Sequence, residues 1–223
     1  MLDKFCRSFL TVPVFVRRAY SALEALDGDR YRMRSIAGAK ELIEEVIPLA
    51  ALLKHLEIPD RHVRCRFVGG DQDHDAQIRI SGPEVEQGFL EHRYFVEVTS
   101  ALSPDDYLQR EALTRYGHVF GGRDICRVGS KRRGDDQIVS RAVAVDGQAA
   151  IENAVTWVKT RLMAKAAKEY PSPCILAVNV EPERRLTLSE WSVLAREVQG
   201  SVDRNRFHLT FVVNWSTNTV FNI

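Results

Sequence analysis

Two periods of hydrophobic residues divide the chain into helices and strands. Between Ile36 and about Leu56 apolar residues recur every three or four positions, which predicts a long helix with a kink at Pro48. A second amphipathic helix is predicted from Ala149 to about Tyr170. Shorter helices are predicted from Asp105 to Tyr116 and, after the capping box Thr187-Leu188-Ser189-Glu190, as far as Gln199.

Short runs of β-branched and aromatic residues predict the strands. The run from Cys174 to Val180 is continuously apolar, which is typical of a strand buried on both faces. The predicted strands are His62 to Val68, Asp75 to Ile80, Tyr94 to Ala101, Cys174 to Val180, Phe207 to Val213 and Thr219 to Phe221. The stretch from Gly121 to Asp136 is expected to be a loop because it is rich in glycine and charge.

The order of these elements predicts the fold class. A helix leads into three successive strands, and further helices then alternate with the later strands. This order favours an α/β protein, a three-layer sandwich with a mixed central sheet flanked by helices. We expect residues 1–34 to form an N-terminal helical extension and residues 35–223 to form the α/β domain.

The charge balance restricts how this protein could bind nucleic acid. The net charge of the 223-residue chain is +1, with 31 basic and 30 acidic residues, so no overall field attracts a polyanion. Binding would need a local patch. One basic segment is obvious, and it is either a phosphate-contacting loop or a mobile surface loop. Its basic residues are Arg123, Arg127, Lys131, Arg132 and Arg133.

Cysteine usage and hydropathy indicate a cytoplasmic protein. The four cysteines are scattered without a CxxC pair, which excludes a zinc ribbon and favours a reducing compartment. The apolar stretch 8–16 has the length of a signal peptide, but Thr11 and Pro13 interrupt it and Arg17-Arg18 follow it. No apolar run reaches the ~18 residues of a membrane span, so no membrane association is expected.

Glu97 is the residue that most needs a chemical explanation. It lies inside the strand from Tyr94 to Ala101, where a buried carboxylate is costly unless a cation or hydrogen-bond donors meet it. Asp75 opens the preceding strand, 22 residues earlier. Two carboxylates on adjacent strands can converge on one divalent cation.

An Asp at the start of one strand, followed by Glu-x-Lys on the next, resembles the signature of the PD-(D/E)XK (restriction-endonuclease-like) nucleases. Asp75 and Glu97-Val98-Thr99 match it, with Thr99 where the family has its lysine. The resemblance covers about residues 35 to 215. It implies a restriction-endonuclease-like fold, and it implies a metal-dependent nuclease that hydrolyses phosphodiester bonds of nucleic acid, DNA or RNA.

The same resemblance implies roles for particular residues. Asp75 and Glu97 would hold Mg²⁺ (or Mn²⁺), and the family lysine would polarise the attacking water or the developing charge. Thr99 carries no charge, so a cation from a neighbouring helix is needed. The alternatives are Lys159, Lys165, Lys168 and Arg110, of which Lys165 is our candidate for catalysis and Arg110 our candidate for nucleic-acid contact.

Three acidic residues of the first long helix, Glu41, Glu44 and Glu45, lie off its apolar stripe. They either form a solvated face or, as the resemblance implies, one of them lends a carboxylate to the metal site. The aromatic residues Trp157 and Tyr170 are expected in the core and outside the site.

A non-catalytic nucleic-acid-binding or protein-interaction module on the same fold is the alternative function. In it, an Arg or Lys side chain would satisfy Glu97 in place of a metal. The neutral net charge and the missing lysine favour this alternative, whereas the carboxylate pair and the basic loop favour the enzyme. A homodimer and a monomer are equally compatible with the sequence.

Overall fold

A seven-stranded mixed sheet runs through the middle of the protein. The computed structural model describes residues 2–26, 28, 37–70, 72–119, 124–144, 146–182, 185–203 and 206–223. The strands of the described chain are β1 (Leu10–Thr11), β2 (His62–Phe67), β3 (Ala76–Ser81), β4 (Arg93–Ala101), β5 (Ile125–Val128), β6 (Gln137–Ser140), β7 (Cys174–Val180), β8 (Leu209–Asn214) and β9 (Thr219–Asn222).

The helices lie before and between these strands. They are α1 (Asp3–Cys6), α2 (Val12–Glu24), α3 (Ala39–Glu41, Leu42–Val46 and Ile47–Leu56 in succession), α4 (Pro83–Glu86), α5 (Asp106–Tyr116), α6 (Gly147–Ala166) and α7 (Leu188–Gln199). The capping box predicted at Thr187 is confirmed, with reciprocal bonds between Thr187 and Glu190 at the start of α7.

The sheet has the strand order β1-β2-β3-β4-β7-β8-β9. Strands β1 to β4 form an antiparallel meander, and β4–β7 and β7–β8 are parallel. The parallel pair β4–β7 needs a crossover, which contains α6. A mixed sheet with helices against it confirms the predicted α/β class.

Two hydrophobic cores cover the two faces of the sheet. The first lies under α2 and α3, and it includes Phe5 and Phe15 from the region expected to be an N-terminal extension. The second lies under α6 and α7. Strand β7 contributes alternately to both, with Ile175 in the first core and Leu176 in the second, as its continuous apolar sequence predicted.

Pro48 changes α3 in a way that the helical period does not predict. The proline lacks the N–H that would bond to the Glu44 carbonyl, and the Ser100 hydroxyl donates to that carbonyl instead, at 3.1 Å. Where a kink was expected, the preceding segment Leu42–Val46 is π-helical. Such segments recur at functional sites, and this one contains Glu45.

Residues 103–144, which we call the insert, interrupt the crossover from β4 to α6. Part of the stretch predicted to be a loop forms the antiparallel hairpin β5–β6, which packs on α5 through Ala112, Ile125 and Ile138. Glu111 of α5 is only 3% exposed. It accepts hydrogen bonds from Arg127 at 2.6 Å and Lys131 at 2.9 Å, and these bonds lower its pKa to about 2.

Glu111→Gln should loosen the insert and leave the central sheet intact. The neutral amide cannot balance the cations around it, and losing charge-assisted bonds costs about 2 kcal/mol. Hydrogen exchange measured by mass spectrometry should show faster exchange in 106–140 and unchanged exchange in β4 and β7. Arg133→Gln is the control, since its 3.3 Å ion pair with Asp135 is exposed. Unchanged exchange in the insert of Glu111→Gln would refute the structural role of this glutamate.

Candidate functional site

Asp75 and Glu97 come together where the β3–β4 ladder ends. The last ladder pair is Ala76–Val96, so the next position along each strand brings Asp75 to Glu97. Asp75 is fixed to β4 twice: its N–H donates to the Val96 carbonyl at 2.9 Å, and its Oδ2 accepts from the Val98 N–H at 2.7 Å. The two carboxylates therefore lie on adjacent chain segments, as predicted.

A lysine reaches this pair from the neighbouring helix. Lys165, in the last turn of α6, forms an ion pair with Glu97, and Glu97 is only 7% exposed. The charge of Lys165 also lowers the pKa of Asp75, although burial and Glu97 raise it more. A helix therefore brings a cation to Glu97, as expected, and the catalytic role of Lys165 stays a prediction. Thr99 itself is buried two residues beyond Glu97, on the same face of β4.

A third carboxylate, that of Glu45, belongs to the same electrostatic group. Burial raises its pKa to about 8, and the negative charges of Asp75, Glu41 and Glu97 add to the effect. The pKa of Asp75 is raised to about 7, first by burial and then by Glu97, against the opposing effects of the Val98 N–H and Lys165. Of the three acidic candidates on α3, Glu45 is thus the one whose pKa is raised by the charges of Asp75 and Glu97.

Tyr170 contributes both to the core and to the site. Its ring packs on Phe207 with centroids 5.3 Å apart, as expected of a core residue. Its hydroxyl, however, is buried and has no hydrogen-bond partner among the described residues. Burial together with the charges of Glu97 and Asp75 raises its pKa. A buried donor near two carboxylates was missed from the sequence, where Tyr170 has no feature beyond its place after α6.

The donor atoms of this site suit a hard divalent cation. Asp75, Glu97 and Glu45 offer carboxylate oxygens, and Asp75 Oδ1 accepts no hydrogen bond from the residues that the structure describes. Within those residues, no three His, Cys, Asp or Glu side chains surround one metal position. Mg²⁺ is nevertheless commonly held by one or two carboxylates, with water and substrate phosphate completing its shell. The residues present therefore fit such an ion.

The basic residues predicted to contact nucleic acid are largely engaged elsewhere. Arg127 and Lys131 bond to Glu111, and Arg133 pairs with Asp135. Arg132 is exposed, and Arg123 lies outside the described residues. Their binding role stays a prediction.

Arg110 belongs to α5, within the insert, and lies beside α6. It pairs with Asp106 at 2.5 Å and lines a cleft of about 540 Å³ between α5 and α6. Trp157 is half-buried: it packs against the second core, as expected, and also lines this cleft. The contact of Arg110 with nucleic acid likewise stays a prediction.

Comparisons with known proteins do not indicate a function, so a function must be argued from the geometry of the site. A scan against protein-family models and searches of curated proteins and of solved structures found no match to this chain. None of the described helices combines the length and the apolar character that crossing a membrane requires.

Without divalent cations, the free energy of unfolding should fall as the pH rises from about 4.5 to 8. Over this range the folded protein retains protons on Asp75 and Glu45 that the unfolded chain has released. The contribution is complete below the ordinary carboxyl pKa and is lost as the pH passes about 7 and about 8. Urea denaturation at a series of pH values measures the slope, at most about 1.4 kcal/mol per pH unit for each carboxyl.

Two changes should flatten this slope. Glu45→Gln removes one of the titrating groups, and Mg²⁺ or Mn²⁺ stabilises the ionised carboxylates. Glu86→Gln, at an exposed position on α4, is the matched control and should leave the slope unchanged. If neither Glu45→Gln nor a divalent cation alters the slope, the electrostatic grouping of the three carboxylates is wrong.

Lys165→Met should destabilise the protein more at pH 8 than at pH 5. At pH 8 the carboxylates lose their counter-charge, which costs on the order of 3 kcal/mol for a buried pair. At pH 5 Asp75, whose pKa is about 7, holds a proton, so less negative charge is left without a counter-charge and the loss shrinks. Lys159→Met, on the same helix, is the control. Chemical denaturation of both variants at the two pH values measures the loss in free energy of unfolding. Equal losses at pH 5 and pH 8 for Lys165→Met would contradict the prediction.

Proposed function

We propose that this protein is a restriction-endonuclease-like, metal-dependent nuclease that hydrolyses phosphodiester bonds. The observation behind the proposal is the meeting of Asp75, Glu97 and Lys165 at the end of the β3–β4 ladder. The chain order also supports it: α3 precedes the meander β2–β4, and α6 leads to the parallel strand β7. This is the arrangement that the PD-(D/E)XK resemblance implies.

Asp75 and Glu97 are the residues that would hold Mg²⁺ or Mn²⁺. The ion, when bound, supplies a Lewis acid that activates water and offsets charge on the phosphate oxygens. The carboxylates are suited to this because their positions are fixed in advance. Asp75 is bonded to the β4 backbone, and Glu97 lies in the interior of a paired strand.

Lys165 takes the role that the motif lysine has in the resembling family. Its ammonium group pairs with Glu97 and is largely withdrawn from solvent, with 18% of the side chain exposed. A substrate phosphate bound beside Glu97 would meet this positive charge. Attack of a water oxygen on phosphorus breaks the bond to the leaving oxygen, and Lys165 stabilises the negative charge that develops.

Glu45 is suited to accept the proton that the attacking water loses. A carboxylate with an ordinary pKa is a weak base. The raised pKa of about 8 makes the ionised form of Glu45 a stronger base, and this form prevails above about pH 8. The leaving oxygen takes a proton from solvent.

A non-catalytic module is the second candidate, and one observation favours it. Lys165 already neutralises Glu97, which is the arrangement expected where a strand glutamate is satisfied without metal. For either function we propose a reducing compartment such as the cytoplasm, since all four cysteines are unpaired.

Nuclease assays on labelled single- and double-stranded DNA and RNA, with Mg²⁺, Mn²⁺ or EDTA, test the proposal. Glu97→Gln keeps the size of the side chain but removes a ligand charge, so cleavage should fall at least about 100-fold. Lys165→Met should lower cleavage by about 10²–10³-fold, as loss of a transition-state cation does. Binding of nucleic acid should change little in Glu97→Gln.

Glu86→Gln and Lys159→Met serve as charge-matched controls and should cleave like the unmodified protein. Cleavage that Glu97→Gln leaves intact would mean a contaminant or another site. Absence of cleavage on every substrate, together with no metal binding by calorimetry, would favour the non-catalytic module.

A further inference from the structure

Four arginines gather on the solvent side of the antiparallel meander. Strand β2 alternates, with Val63, Cys65 and Phe67 in the first core and the residues between them on the other side. The cross-strand register brings the outward residues of β2, β3 and β4 together. We call this group the arginine face: Arg64 and Arg66 of β2, Arg79 of β3 and Arg93 of β4.

The register sets like charges against one another. Arg64 lies directly opposite Arg79, and Arg79 directly opposite Arg93. Like charges in opposite positions destabilise a sheet. No ion pair with any described residue relieves this repulsion, so folding alone gives no reason for the arrangement. A bound polyanion would supply one.

Two of these side chains, those of Arg66 and Arg79, are held on the face by contacts with neutral residues. Arg66 donates to the Gln77 side chain at 2.9 Å, and both Arg66 and Arg79 lie over the ring of Phe9, at 5.3 and 4.1 Å from its centre. Arg64, Arg79 and Arg93 remain exposed. Guanidinium groups held in this way present their N–H donors to the solvent.

The arginine face leads directly to the carboxylate site. Side chains alternate along β4, so Arg93, Phe95 and Glu97 share one side of the sheet. Arg93 and Glu97 are four positions apart on the strand. The distance along the strand is about 13 Å, which is the length of a few nucleotides. Between them lies Phe95, half-buried, with the His74 ring against its edge at 4.8 Å.

We propose that the arginine face binds the backbone of a single nucleic-acid strand and leads it to Glu97. Arginines in a row bind a single strand because the cations meet its phosphates, and exposed guanidinium planes can stack on its bases. That the strand ends at a cleavage site rests on the proposed function. Binding to the face needs neither metal nor hydrolysis.

This binding surface differs from the insert that the sequence favours. The charges of Arg127 and Lys131 in the insert are already met by Glu111, whereas the exposed arginines of the face have no acidic partner among the described residues. The two surfaces can therefore be tested against each other with variants of equal charge.

Fluorescence anisotropy in EDTA, with a labelled 20-nucleotide single strand of DNA as the probe, tests the proposal. The variant Arg64→Gln/Arg79→Gln/Arg93→Gln should bind at least about tenfold more weakly. The slope of log affinity against log salt should fall by about 0.7 for each lost phosphate contact. The insert variant Arg132→Gln/Arg133→Gln/Arg141→Gln removes the same charge from the competing surface and should lose less affinity than the face variant. The control Arg17→Gln/Arg196→Gln/Arg206→Gln removes the same charge from exposed positions outside both surfaces and should bind like the unmodified protein.

The folded state of the face variant is checked by thermal denaturation. Because the substitutions remove like-charge pairs, its melting temperature should be unchanged or higher. Unchanged binding by the face variant would overturn the proposal, and so would an equal loss in the control. Equally tight binding of poly-glutamate of matched charge would also overturn it, since the face would then be a general anion patch.

The result of the binding experiment can be distinguished from the result of the nuclease assays. Binding that depends on the arginine face, without cleavage of any substrate, would refute the proposed nuclease activity and support the proposed nucleic-acid surface. Metal-dependent cleavage with kcat/KM unaltered in the face variant would keep the nuclease and refute this surface.

Discussion

Repulsion between two carboxylates at the end of a β-ladder is the constraint around which the site is arranged. Pairing of β3 with β4 brings Asp75 to Glu97, and burial then makes the two charges expensive. The Val98 N–H and Lys165 each reduce that cost, and neither suffices to return the pKa of Asp75 to its ordinary range. The position of α6 follows from the same need, since its last turn delivers the counter-charge.

The fold was largely predictable because its elements have clear periods. Strand β7 is apolar at every position, α6 has a regular stripe, and α7 begins with a capping box, so each could be recognised locally. The hairpin β5–β6 could not. Its short strands pack on little more than Ala112, and its charged residues resemble those of a loop until Glu111 is seen to bind them.

The site was predictable only in its first members. Asp75 and Glu97 follow a recognisable spacing, but the choice of Lys165 over Lys159 depends on how α6 lies across the sheet. Glu45 depends on a π-helical segment next to Pro48, which alters the helical period from which faces are read. The arginine face depends on strand register. In the sequence, Arg64, Arg79 and Arg93 are scattered among polar neighbours, and only pairing brings them together.

The position of the insert within the crossover has a consequence for how such a protein could diversify. The parallel pairing of β4 with β7 requires a connecting helix, and α6 meets that requirement without help from residues 103–144. The insert has its own small core and its own ionic contacts. It can therefore be lengthened, shortened or exchanged over evolutionary time while the sheet keeps Asp75 beside Glu97.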